Sequence, residues 1–300
     1  MIPNVVCYGE VLWDVFPTYK KIGGAPLNVA LRLNSFGVNA NIISSVGNDQ
    51  NGRELLEYVT ENSLDASKVQ INDQFQTGCV NVILDESGSA SYEITHPVAW
   101  DKIQLANNSI ECVKASDAFI FGSLAARDEV SKNTLLKLLT HAKFKVFDVN
   151  LRPPHYSMDI LLDLMKKADF IKCNDEELKE ICTDLSFSEN IMEKQIKFLS
   201  KETNTDKVCV TKGKDGAILL YDNNLYYYKS YPIKVVDTVG AGDSFLASLI
   251  SKLLHGESPN EALDYACAVG ALVASKKGAN SKLTNAEISE IRKFDFPPEN

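Results

Sequence analysis

Two rhythms of apolar residues alternate along this chain. Short runs rich in β-branched and aromatic residues recur at Val5–Tyr8, Asn41–Val46, Ala118–Phe121, Lys145–Val149 and Phe170–Lys172, then at Val208–Thr211, Ile218–Tyr221 and Leu225–Tyr228. Such runs predict strands. Between them lie stretches whose apolar residues return at helical spacing. Ala25–Phe36 predicts a helix ended by Gly37, and Asn51–Glu61 predicts another. The last third closes with predicted helices at 243–254, 259–276 and about 284–292. The helix at 259–276 carries its own start chemistry: Ser258 caps, Pro259 takes the first position and Glu261 can complete a capping box. Its small residues, among them Ala262, Ala266, Gly270 and Ala274, predict close packing on its neighbours. This alternation predicts a three-layer α/β/α fold with a mostly parallel central sheet covered on both faces.

Two segments break the alternation. Glu10–Lys21 lies between the first strand and the first helix, and Gln76–Thr95 reads as consecutive strands with Asp85-Glu86-Ser87-Gly88 as their hairpin turn. Together they predict a small β-sheet lid, built from inserted segments at about 10–24 and 76–100. Without a linker or repeat to divide it, the chain 1–300 reads as one domain with that lid inserted.

The most telling junction is Asp237-Thr238-Val239-Gly240-Ala241-Gly242-Asp243-Ser244-Phe245. Upstream, Tyr231–Val236 is β-branched and aromatic and predicts a strand; downstream, Phe245, Leu249 and Leu253 take helical spacing. The first turn of a helix has backbone N–H groups without intrahelical partners and a positive dipole end. Glycine lets a phosphate approach that backbone closely. An acid beside a phosphate is electrostatically costly unless it takes a proton from an incoming hydroxyl. Anion hole and base together suit phosphoryl transfer to an alcohol.

Composition narrows the field. The net charge is −9, which disfavours a general nucleic-acid surface. A bound nucleotide then needs local backbone donors, a few basic residues and a metal. Apolar runs fall short of membrane-spanning length, and Met1-Ile2-Pro3-Asn4 lacks the basic start of a signal segment, so a cytoplasmic protein is expected. The seven cysteines are scattered without a Cys-x-x-Cys pair and read as small buried hydrophobes in a reducing compartment. The four histidines show no metal-binding spacing.

A second glycine pair opens the first helix: Ile22-Gly23-Gly24-Ala25-Pro26-Leu27-Asn28-Val29-Ala30. Gly23 and Gly24 permit close approach to a ligand, and Asn28 offers the donors and acceptor that sugar hydroxyls need. With the Asp237–Phe245 string far downstream, this segment resembles the paired signatures of the ribokinase-like (PfkB) carbohydrate kinases. The resemblance covers the chain from Val5 to the helix at 259–276. In detail it is most similar to bacterial-type fructokinase. Gly9-Glu10-Val11-Leu12-Trp13-Asp14, Gly24-Ala25-Pro26-Leu27-Asn28, Pro97-Val98-Ala99-Trp100-Asp101 and Asp148-Val149-Asn150-Leu151-Arg152-Pro153 carry that likeness.

The resemblance implies an ATP-dependent sugar kinase that uses Mg²⁺, with D-fructose converted to fructose 6-phosphate. Kinases of 2-keto-3-deoxygluconate, ribose or nucleosides share parts of these motifs, and a sugar sensor without catalysis is the alternative outside the enzymes. Asp243 is then the catalytic base, with Gly240, Ala241 and Gly242 as the anion hole. Asp14, Gly23, Gly24 and Asn28 become sugar contacts, joined by Asp148, Asn150 and Arg152. These last three alternate, so an extended segment would turn all of them one way. Asn174 and Glu177 match an Asn-x-x-Glu pattern that acts near magnesium, through water, while also forming an ordinary helix start. Thr211, Lys212 and Gly213, with Lys277 and Gly278, fall on the nucleotide side. Asp237 and Val239 belong to a monovalent-cation site in relatives, which makes K⁺ a candidate. A Rossmann dehydrogenase is excluded, because no Gly-x-Gly-x-x-Gly follows the first strand. A homodimer joined through the lid is expected, since pairing would cover exposed strand edges.

Overall fold

A computed structural model describes residues 1–84 and 90–296. It resolves into two compact units, Met1–Ile171 and the chain from Lys172 onward.

In the first unit, β1 (Asn4–Tyr8), β4 (Asn39–Gly47), β5 (Val69–Asn72), β8 (Ala118–Gly122) and β9 (Lys145–Asp148) lie in the order β9-β8-β1-β4-β5. Each neighbouring pair is parallel. Parallel strands are covered on both faces, which is why their sequences run apolar without alternation. Val5, Val6, Cys7 and Tyr8 are all buried, and Phe121 stacks on Phe119 at 6.0 Å and on Phe147 at 5.1 Å. The crossovers are α1 (Ala25–Ser35), α2 (Gln50–Glu61), α3 (Asn107–Ala115), α4 (Glu129–Leu139) and α5 (Met158–Lys167). Asp49 caps α2 by accepting from Gly52 N at 2.8 Å.

A separate four-stranded sheet is built from β2 (Leu12–Val15), β3 (Lys20–Gly23), β6 (Gly78–Leu84) and β7 (Ala90–Ile94), in the order β3-β2-β6-β7. The two segments that broke the alternation thus pair with each other: β2 runs parallel to β6 and antiparallel to β3. The turn expected at Asp85–Gly88 lies outside the described residues.

The second unit takes up most of β10 (Phe170–Asn174), followed by α6 (Asp175–Asp184), α7 (Met192–Thr203), β11 (Lys207–Thr211), β12 (Ala217–Tyr221) and β13 (Asn224–Tyr228). These strands lie in the order β13-β12-β11-β10, with β11–β12 and β12–β13 antiparallel. α8 (Ala241–Leu254), α9 (Pro259–Ala274) and α10 (Asn285–Ile291) follow. The predicted close packing of 259–276 holds: a Cβ built on Gly270 would sit 3.6 Å from Phe245 Cβ and from the Ala241 carbonyl.

One predicted strand is absent. Tyr231–Val236 is not assigned to a strand. Val236 N and Asp237 N donate instead to the carbonyl of Ala274, at the end of α9. β-branched composition set the local preference, but the hydrogen-bonding partner is a helix terminus.

Candidate active site

The second unit holds the residues predicted to handle phosphate. α8 begins two residues earlier than predicted, so Ala241, Gly242 and Asp243 form its first turn. Its cap, Gly240, adopts a left-handed conformation with φ 74°, and no side chain caps the helix. A Cβ on Gly240 would also collide with Ala279. Backbone angle and neighbour therefore both demand glycine there. Gly242 marks where a lysine approaches this turn. A Cβ there would lie 3.4 Å from Lys172 Nζ. Lys172 is the middle residue of β10 and is only 6% exposed. A buried ammonium beside a helix N-terminus adds a full positive charge where the dipole already favours anions.

Lys172 escaped the sequence analysis. Its signal was a lone lysine inside the apolar run Phe170-Ile171-Lys172-Cys173. A lysine that ends a strand looks like a solvated boundary, and only packing shows that this one is buried.

Asp237 ties two loops together. Its carboxylate accepts from Val239 N at 3.1 Å and from Gly278 N at 3.0 Å. Asn174 and Glu177 form the reciprocal capping box that their spacing predicted, with both bonds at 2.8 Å. Thr211 Oγ1 donates to the Cys173 carbonyl at 3.5 Å, and Lys212 N to the Gly216 carbonyl at 2.7 Å, closing the turn that holds Gly213.

A cavity of about 920 Å³ gathers several of these groups. Thr211, Lys212, Gly213, Ala241 and Gly242 line it, together with Tyr228 and Tyr231. Asn174, Gly240, Asp243, Lys277 and Gly278 are not among its lining residues. Polar, glycine-rich backbone and flat apolar walls share one space, which matches a ligand with an anionic end and an aromatic end.

The first unit holds the predicted sugar contacts. Asp14 on β2 presses its carboxylate against Gly23 of β3: a Cβ there would meet Asp14 Oδ2 at 2.5 Å. Burial raises the Asp14 pKa above the ordinary carboxylate range, opposed by the charges of Lys21 and Arg152. Gly24, at φ 111°, caps α1, and its carbonyl accepts from Asn28 N at 2.9 Å. A side chain at Gly24 would collide with the Glu10 carbonyl. Asn28 and Asp148 are buried polar residues.

The expectation that Asp148, Asn150 and Arg152 face one way needs correction. β9 ends at Asp148, and Asn150 turns left-handed at φ 40°. The alternation rule holds only on extended backbone, so it lapses at Asn150, two residues past the strand. Arg152 donates to the Leu151 carbonyl at 2.8 Å, and its charge still reaches Asp14. Among the described residues, no group of three or more His, Cys, Asp or Glu could hold a metal ion, and none of the seven cysteines forms a disulfide.

Comparison with known proteins bears on the whole chain. The family model for pfkB family carbohydrate kinases matches residues 3–286. A fructokinase of Salmonella typhimurium is 28% identical over 94% of this chain and 97% of its own length. The structure of a sugar kinase of Pyrococcus horikoshii in complex with ATP superposes with TM-score 0.80 at 26% identity, covering 96% of this chain and 99% of that one. A double-mutant fructokinase of Vibrio cholerae O395, in its fructose-, ADP- and potassium-bound form, gives TM-score 0.82 at 22% identity over 97% and 98% of the two chains. Matched over nearly its whole length, the chain is a member of the pfkB family of carbohydrate kinases, an ATP-binding sugar kinase with a ribokinase-like α/β fold.

Proposed function

We propose that this sugar kinase is a fructokinase, transferring the γ-phosphoryl group of ATP to the 6-hydroxyl of D-fructose. The observation that carries the phosphoryl-transfer chemistry is Asp243, an acid in the uncapped first turn of a helix whose N-terminus is flanked by a buried ammonium. The sugar oxygen attacks phosphorus, the bond from the γ-phosphorus to the bridging oxygen breaks and ADP leaves. The hydroxyl proton goes to the Asp243 carboxylate as the new bond forms. Backbone N–H groups at Gly240–Asp243, together with Lys172, stabilise the charge on the transferring group. In this assignment Asp14, Gly23, Gly24, Asn28, Asp148, Asn150 and Arg152 hold the sugar. Thr211, Lys212 and Gly213 serve the nucleotide, with the Lys277–Gly278 loop closing near it.

The residues also fit the expected ions. Magnesium neutralises charge on the β- and γ-phosphates when bound. With no all-protein cage among the described residues, Glu177 and Asn174 would hold it through water. Asp237 joins the 237–239 turn to the loop at Gly278, and backbone carbonyls of two such loops are the hard oxygen donors a potassium ion takes. The potassium-bound Vibrio cholerae relative supports this assignment. The names of the curated relatives support fructose as the sugar.

A coupled assay for ADP release, run with fructose, ribose, adenosine and 2-keto-3-deoxygluconate, tests the substrate. Fructose should give the highest kcat/KM; a higher value for another member of the panel would reassign the sugar and leave the kinase chemistry standing. Asp243→Asn should lower kcat by about 10²–10⁴-fold with ATP binding retained. Lys172→Met should lower kcat and raise the KM for ATP. Near wild-type turnover in Asp243→Asn would remove the proposed base.

A further inference from the structure

The cavity beside α8 has a wall that the assignments above leave unused. Phe294 and Phe296, in the segment that follows α10, line it together with Tyr228, Tyr231 and Ala274. Phe296 is held in place: its ring lies 5.3 Å from Tyr231 and meets Tyr228 edge-on at 6.0 Å. Phe294 meets Phe296 edge-on at 5.1 Å yet remains 44% exposed. An aromatic ring left this open while lining a cavity is a face awaiting a flat partner.

The segment is also anchored where it leaves α10. Arg292 Nε donates to Asp264 Oδ2 at 2.9 Å, and its Nη2 lies 2.7 Å from the same oxygen. Asp264 Oδ1 accepts from the Tyr231 hydroxyl, which in turn contacts the Tyr228 hydroxyl at 3.0 Å. One carboxylate on α9 therefore fixes both the start of the segment and the tyrosines against which Phe296 packs. The same cavity carries Gly242 and Ala241 of the α8 first turn and the lysines Lys212, Lys214 and Lys229. With three lysines to one carboxylate, Asp215, and aromatic walls, it suits an occupant that combines an anionic group with a flat apolar one.

We infer that Phe294 is a base-binding residue of the nucleotide site, stacking on the purine of ATP, and that Phe296 is its positioning residue. This rests on the assignment of the cavity to ATP. Base stacking on an aromatic ring contributes binding that a bare polyphosphate cannot collect. The contribution should therefore appear in affinity for ATP and not in the chemical step.

Calorimetry on the full chain with Mg²⁺ tests this, using ATP and inorganic tripolyphosphate as probes against wild type, Phe294→Ala and Phe294→Trp. Phe294 is exposed, so both variants should melt at the wild-type temperature. Phe294→Ala should weaken ATP about fivefold or more, leave tripolyphosphate unchanged and raise KM for ATP without lowering kcat. Phe294→Trp should restore the affinity, and its fluorescence should respond to ATP. ATP binding within about twofold of wild type in Phe294→Ala overturns the inference and leaves the kinase assignment untouched. Equal weakening of ATP and tripolyphosphate also overturns it, since the effect would then lie in the phosphate end. A wild-type chain that binds no ATP would sink both.

Discussion

At the scale of single residues, Asp14 shows how a ligand-binding role and stability pull apart. Its carboxylate is partly buried against Gly23, and burial raises its pKa despite Lys21 and Arg152. Below the ordinary carboxylate range the group is protonated in both folded and unfolded chains and costs nothing. As pH rises through the raised folded pKa, the folded state must carry a buried charge that the unfolded chain carries in water, and stability falls. Asp14→Asn removes that cost. The variant should melt at a higher temperature than wild type at pH 7, with the gap closing as pH falls through the carboxylate range, while fructose affinity drops. Thermal melts across pH, paired with sugar titrations, check both halves. A variant less stable at pH 7 would mean that Lys21 and Arg152 outweigh burial. Gly240 makes a related point: its left-handed backbone and its close approach to Ala279 both fix glycine there.

At the scale of elements, the segment after β7 is fastened to the connection between β8 and α4 by a buried ion pair. Arg127 Nε and Nη2 donate to the two carboxylate oxygens of Asp101 at 2.7 and 2.8 Å, with the side chains 3% and 0% exposed. Nη2 also donates to the Thr95 carbonyl at 2.7 Å, and the guanidinium stacks 3.9 Å above the Trp100 ring. Asp101 accepts from Val98 N as well. Removing the arginine would leave a buried carboxylate without its counter-charge, so Arg127→Met should cost about 3–5 kcal/mol of unfolding free energy. Arg127 Nη1 is itself buried without a hydrogen-bond partner, which places the loss at the lower end of that range. Denaturant titration gives the value directly; a loss below about 1 kcal/mol would mean that Trp100 packing, not the ion pair, fixes this corner.

At the scale of the whole molecule, the four-stranded sheet β3-β2-β6-β7 is the feature proposed to close over the sugar. Bulk water competes with the sugar hydroxyl for the phosphoryl group, so covering the sugar has a mechanistic reason. Hydrogen exchange should slow in 10–24 and in the described parts of 76–100 when fructose saturates the protein. Unchanged exchange there, with saturation verified by titration, would assign the cover to another element. β3 and β7 are the edges of this sheet, and Lys20 and Lys21 blunt β3 with charge. A homodimer through this sheet is accordingly proposed to pair at β7, and sedimentation should give twice the chain mass; a monomer at all concentrations would dismiss it.

Local chemistry made much of this protein readable from its sequence. Apolar periodicity marked most of its strands and helices, because covered parallel strands and packed helices impose distinct spacings on the chain. Cap residues placed the starts of α6 and α9, since Asn174, Glu177 and Ser258 satisfy backbone groups within reach of their own side chains. The glycine strings at Gly23–Gly24 and Gly240–Gly242 were legible for the same reason, as backbone approach and positive φ are local demands. What stayed hidden depended on partners distant in sequence. Tyr231–Val236 has strand composition, but its last amide bonds to the end of α9. Asn150 breaks the alternation of its segment with a left-handed turn that its neighbours did not announce. Lys172 ended a predicted strand with no role until packing buried it beside Gly242, and Phe294 and Phe296 had no visible role until the fold set Phe296 against Tyr228 and Tyr231 and Phe294 against Phe296. Burial and pairing across the chain are properties of the tertiary structure, because they are set by which surfaces meet and not by what any segment prefers alone.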